Sequence, residues 1–131
     1  MGLRTPEQYK ESLRDGREVY YRGEKVDDVT THPKLARMAN TLASIYDIQV
    51  SPEHHDVMTF KSPSSGEPVA RSFMIPETHE DLLERRKALE VVAHWSYGML
   101  GRTPDYVNIQ VTASRQLAHL YGLKDKRHGD N

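Results

Sequence analysis

The stretch His94-Trp95-Ser96-Tyr97-Gly98-Met99-Leu100-Gly101-Arg102-Thr103-Pro104-Asp105-Tyr106 is where one long helical pattern stops and another starts. Gly101 suits a helix C′ position because it tolerates positive φ. Thr103 suits an N-cap, and Pro104 suits the first helical position, where no amide hydrogen is missed. The sequence therefore predicts a corner specified from both sides. Arg102 lies on the linker and Tyr106 in the first turn beyond it. A guanidinium, a phenol and uncommitted backbone N–H groups then converge on one small space, suited to an anion or an oxygen-rich ligand.

Upstream of the corner, Thr78 stands three residues before Asp81, a weaker form of the capping box. Leu82, Arg85, Arg86, Leu89, Val92, Ala93, Ser96 and Leu100 follow at three- and four-residue steps, which predicts one long helix running into the corner. Downstream, Pro104 to about Tyr121 reads as a second long helix with Val107, Val111, Ser114, Leu117, Ala118 and Tyr121 on its inner face and Gly122 as its stop. Leu123 to Asn131 is charged and carries no terminator.

The first part of the chain is equally well marked. Thr5-Pro6-Glu7-Gln8 reads as N-cap, Pro at N1 and a capping-box Gln, opening a short helix that ends before Gly16. Glu18 to Val26 alternates around Arg22-Gly23 and predicts a small hairpin carrying Tyr20. Leu35, Met38, Leu42, Ile45 and Tyr46 predict a helix over about Pro33 to Ile48, capped by Thr30 or Thr31. Ser51-Pro52-Glu53 predicts a cap and one helical turn. Val57 to Phe60 and Val69 to Ile75 flank the cluster Ser62 to Pro68, which predicts a second hairpin carrying Phe60. The fold class is thus mainly α with two short β-hairpins.

At 131 residues the chain is one domain, able to bury roughly two-thirds of its unfolded surface. Its 18 basic and 19 acidic residues sum to −1, which argues against nucleic acid or an anionic membrane as main partner. Zero cysteines exclude disulfides, thiolate nucleophiles and cysteine-ligated clusters from these residues. The polar start at Met1 to Glu11 lacks the apolar core of a signal peptide, and no segment approaches the ~20 apolar residues of a membrane span. A cytoplasmic protein is the simplest expectation.

The histidines offer little. His54 and His55 are adjacent and cannot both face one metal from a regular element, and no His-Glu-x-x-His spacing occurs, so no metal site is expected. His32 and His94 read as turn and helix residues, and His79, His119 and His128 as solvated. Trp95, Tyr97 and Tyr106 near the corner read as core rather than a stacking face. Glu84-Arg85-Arg86-Lys87 reads as a solvated charged face. From spacing alone, Arg102 is more simply a cap for helical carbonyls and Tyr106 a core residue.

The run Tyr97-Gly98-Met99-Leu100-Gly101-Arg102-Thr103-Pro104-Asp105-Tyr106 resembles the oxygenase component of two-component flavin monooxygenases of the 4-hydroxyphenylacetate 3-hydroxylase family. Glu11 to Tyr20, Gly23-Glu24-Lys25-Val26 and Asp28-Val29-Thr30-Thr31-His32-Pro33 are similar to the same family in the same order. The resemblance implies the N-terminal helical domain of an acyl-CoA dehydrogenase-like architecture, with the family's β domain and C-terminal helical bundle absent from residues 1–131. It implies reduced FAD, supplied by a separate reductase, and a flavin hydroperoxide that ortho-hydroxylates a phenol such as 4-hydroxyphenylacetate. Arg102 and Tyr106 become catalytic and cofactor-binding residues at the phenolic and flavin oxygens, and a homo-oligomer is expected, inactive in this short form. Two alternatives remain open. One is a helical interaction module descended from such an enzyme. The other, disfavoured by the absence of cysteine, is a relative of 4-hydroxybutyryl-CoA dehydratase.

Overall fold

The computed structural model describes residues 2–100 and 104–130. Its helices are α1 (Pro6–Ser12), α2 (Ala36–Val50), α3 (His55–Met58), α4 (His79–Trp95), α5 (Pro104–Gln116), α6 (Ala118–Tyr121) and α7 (Lys126–Asp130). A 3₁₀ turn spans Arg71–Phe73. Two antiparallel pairs, β1 (Val19–Tyr21) with β2 (Glu24–Val26) and β3 (Thr59–Lys61) with β4 (Pro68–Ala70), form separate two-stranded sheets. Mainly helical with two hairpins is therefore the observed class.

Local chemistry explains the elements that match. Thr5 accepts from the Gln8 amide while Gln8 accepts from the Thr5 amide, and Thr78 and Asp81 close the same reciprocal box at the head of α4. In the first hairpin Arg22 and Gly23 both have positive φ, 54° and 87°, as a two-residue primed turn requires. Register pairs Tyr20 with Lys25 and, in the second hairpin, Phe60 with Val69.

The core lies between α2 and α4, closed by α3. Ile45, Ile48, Met58, Ala88 and Val92 form its buried centre, and Leu42, Val57, Val91 and Leu100 pack against it. Burying side chains of this size stabilises by roughly 1.5–3 kcal/mol each for the larger ones. The α1 helix is held to α2 by Tyr9 stacked on Tyr46, ring centroids 4.6 Å apart. Burial is the main cause that pushes the Tyr9 phenol above its ordinary pKa.

Several boundaries differ from the sequence reading, among them the second hairpin's return flank, which is strand only to Ala70 and then turns as a 3₁₀ turn over Arg71–Phe73. The long helix toward the corner stops at Trp95 and not at Leu100. Gly98 N–H donates to the Ala93 carbonyl and Tyr97 N–H to the His94 carbonyl, a Schellman ending with Tyr97 at φ 52°. Leu100 then turns back onto the core, its N–H donating to Ser96 Oγ at 3.3 Å. The Ser96-to-Leu100 step of four mimicked another helical turn.

The α2 helix begins at Ala36 without a side-chain cap. Thr30 is spent on Asp28, to which both its N–H and its hydroxyl donate, and His32 Nδ1 and carbonyl organise the turn before the helix. Val57 and Met58 belong to α3 rather than to a strand, and the helix expected through Tyr121 breaks after Gln116. The face of α5 that packs carries Asn108 and Thr112, while Val107, Val111, Leu117 and Tyr121 are exposed.

Candidate functional site

Of the corner residues predicted from sequence, Gly101, Arg102 and Thr103 lie outside the described residues. Beyond them α5 begins at Pro104, as expected. Tyr106 stands in its first turn, about half exposed, and Gln110 Nε2 donates to its hydroxyl oxygen at 3.3 Å. That bond uses the oxygen as acceptor, so the phenolic hydrogen is left to donate outward. Trp95, Tyr97 and Tyr106 are not core: all three are exposed, Tyr97 at 94%.

The opposite face of α5 has a different role. Helical periodicity puts Asn108, Val111, Thr112 and Arg115 roughly 120° or more around the axis from Tyr106. These four residues line a cleft of about 990 Å³ whose other walls come from α2, the second hairpin and the 3₁₀ turn. Asn108 Nδ2 donates to Ser72 Oγ at 3.2 Å, and Thr112, buried, donates from its hydroxyl to the Asn108 carbonyl at 2.7 Å. These polar anchors have no apolar period, so the hydrophobic pattern of the sequence could not locate them.

A second cleft, of about 420 Å³, lies beside the first hairpin. Its cations are committed: Arg14 to Asp28, Glu11 and Thr30, Arg17 to Asp15, and Lys25 to Glu18 at 2.7 Å. Asp15 is held down to about 2 by the hydrogen bonds from Arg17, and Asp28 is lowered chiefly by those from Thr30 and further by Arg14. The cations of this cleft are therefore neutralised.

Arg71 is a residue that sequence reasoning missed. Its Nε donates to the Val57 carbonyl and its Nη2 to that of Asp56, both at 2.7 Å, and Nη1 lies 3.4 Å from Glu84. It clips α3 to α4 and is structural. The histidines form no cluster, and no group of three or more His, Cys, Asp or Glu side chains could hold a metal among the described residues. No helix among them is long and apolar enough to cross a membrane.

Residues 5–131 match the family model for the N-terminal part of 4-hydroxyphenylacetate 3-hydroxylase. The chain belongs to this family. The oxygenase component of 4-hydroxyphenylacetate 3-monooxygenase from Geobacillus sp. strain PA-9 is 37% identical over 132 residues, covering all of this chain and 26% of its own length. Its counterpart from Thermus thermophilus is 39% identical over 91% of this chain and 24% of its own length. The chain thus spans about a quarter of these relatives. A crystal structure of such an oxygenase component, complexed with FAD and 4-hydroxyphenylacetate, is 39% identical with a TM-score of 0.85, over 92% of this chain and 25% of that one. An archaeal 4-hydroxybutyryl-CoA dehydratase from N. maritimus has the same fold more distantly, at 25% identity and a TM-score of 0.69, over 97% of this chain and 24% of that one.

Proposed function

We propose that this chain is the N-terminal helical domain of an aromatic hydroxylase that uses reduced FAD, delivered by a reductase component, to ortho-hydroxylate a phenol such as 4-hydroxyphenylacetate. The β domain and C-terminal bundle of the family complete the site, so the chain alone is inactive. The observation that carries the reading is the family match over residues 5–131 together with the FAD- and substrate-bound relative.

The residues present fit one wall of such a site. Tyr106 projects from the first turn of α5 into open space with its hydroxyl hydrogen available, which is the donor that a phenolate or flavin oxygen needs. Arg102, four residues earlier, supplies a permanently charged guanidinium that stabilises developing negative charge on oxygen. Reduced FAD supplies the oxygen activation. Arg102 and Tyr106 orient the phenol, favour its ionised form and hold the proton at the Tyr106 hydroxyl. The wider enzyme works as a homo-oligomer.

The test is a chimera in which this chain replaces the corresponding N-terminal quarter of the Geobacillus oxygenase, assayed with reduced FAD and 4-hydroxyphenylacetate. Hydroxylation is expected, and Arg102→Ala should slow it by about 10²-fold while peroxide release rises. A folded chimera without hydroxylation would refute the function. An active chimera indifferent to Arg102→Ala would leave the function standing and remove the site.

A further inference from the structure

Tyr106 and Gln110 stand four residues apart on α5, which places them on one face in adjacent turns. The Gln110 Nε2 donates to the Tyr106 hydroxyl oxygen at 3.3 Å, the only hydrogen bond of that hydroxyl among the described residues. Both residues are exposed, so the pair adds little to the stability of the helix. Its consequence lies in its direction. A phenol hydroxyl can give or take a hydrogen bond, and an amide N–H on its oxygen commits that oxygen as the acceptor. The hydrogen is then the group left to bond a ligand. A bond accepted at the oxygen also polarises the O–H and strengthens the bond that it donates in turn. A carboxylate at position 110 would do the reverse, because it only accepts and would draw the hydroxyl hydrogen back to the helix.

We propose that Gln110 is a positioning residue for the hydroxylation, acting through Tyr106 by fixing the polarity of its hydroxyl. The inference rests on the reading of Tyr106 as a site residue. Gln110 touches neither substrate nor flavin and moves no proton: the hydrogen stays on Tyr106. The ligand oxygen that this arrangement suits has lone pairs and no hydrogen of its own, as a phenolate or a flavin oxygen has. A neutral phenol arriving as a donor meets an oxygen that the amide already occupies.

The test uses the chimera with the Geobacillus oxygenase, with hydroxylation and peroxide release measured at saturating substrate. Gln110→Leu removes the amide donor and should slow hydroxylation roughly three- to tenfold, the scale of one hydrogen bond, with KM little changed and more peroxide released. Gln110→Glu should approach the loss given by Tyr106→Phe, and Gln110→Lys, which keeps a donor, should recover most of the wild-type rate. In the Tyr106→Phe background neither Gln110→Leu nor Gln110→Glu should cost anything further, since the oxygen on which they act is gone. On the 131-residue chain, which needs no turnover, Gln110→Leu should shift the carbon-13 signal of Tyr106 Cζ. Wild-type rate and coupling in Gln110→Leu and Gln110→Glu, beside a slowed Tyr106→Phe, would overturn the proposal and leave the hydroxylase reading standing. So would losses that persist in the Tyr106→Phe background, a Gln110→Lys variant as slow as Gln110→Leu, or an unmoved Cζ signal. A chimera that hydroxylates equally well with Tyr106→Phe would instead remove Tyr106 from the site, and the role of Gln110 with it.

Discussion

Asn108 on α5 and Ser72 on the 3₁₀ turn are joined by a 3.2 Å hydrogen bond between side chains 36 residues apart in sequence. Ser72 is buried at 4% exposure, and the apolar residues Val107 and Val111 of α5 face solvent. The helix is therefore held to the body by polar anchors on one narrow stripe. Asn108→Ala should cost about 1 kcal/mol, the usual value of a partly buried hydrogen bond. It should also speed amide exchange throughout α5 while leaving α2 and α4 protected. Uniform loss of protection would mean that α5 is part of a single cooperative unit.

Tyr97 sits at φ 52° with its ring 94% exposed, so its backbone is strained and its side chain has little packing to offset that. Tyr97→Gly relieves the strain at a position where glycine is the preferred residue. A stabilisation of about 1 kcal/mol by chemical denaturation is expected. A destabilised variant would show that the tyrosine ring has an unrecognised contact.

What could be read from the sequence follows from how local each signal is. The boxes at Thr5/Gln8 and Thr78/Asp81 and the Arg22-Gly23 turn are complete within four residues, and all three form as expected. Ser96 to Leu100 failed because a side chain returning to the core over a Schellman turn keeps the spacing of a helix. Tyr106 was placed correctly in a first turn, but the expectation that it packs as core fails because no described element covers that face. The larger cleft was invisible, since it depends on α2, a hairpin and α5 meeting in space.

Arg71 carries such a non-local signal in one side chain, bonding two carbonyls and facing Glu84 at 12% side-chain exposure. Arg71→Met keeps the apolar stem but leaves the Val57 and Asp56 carbonyls without these bonds, and about 2–4 kcal/mol of destabilisation is expected. Arg71→Lys should recover only part, because an ammonium cannot reproduce the planar fork. Urea midpoints of the three proteins check this, and equal midpoints would remove Arg71 as a clip.

Asp28 makes the fold sensitive to acid. Hydrogen bonds from Thr30, then from Arg14, hold its folded pKa below the ordinary 3.8. A group whose pKa is lowered by folding contributes stability that is complete above its unfolded value and is lost as pH falls through the folded one. The urea midpoint of the wild type should therefore exceed that of Asp28→Asn at about pH 6, and the gap should close as pH falls below about 4. A gap that is constant down to about pH 2 would mean that the ionised form is not the stabilising one.

The last expectation concerns the apolar surface of α5 and α6. Val107, Leu117, Leu120 and Tyr121 are each more than 40% exposed, and they cluster within a stretch that contributes little to the core. Exposed apolar side chains of this size are unfavourable in water, and association relieves them where they meet. The chain also spans only about a quarter of its relatives' length, leaving ample polypeptide in them to cover such a face. The isolated chain should therefore self-associate reversibly, seen as a concentration-dependent rise in sedimentation coefficient. Val107→Gln combined with Leu117→Gln should reduce that rise with no loss of helix content, because neither side chain is buried. A wild-type chain that sediments as a compact monomer at high concentration would show that the patch is satisfied within the chain. That result would favour the free-standing interaction module over the domain reading.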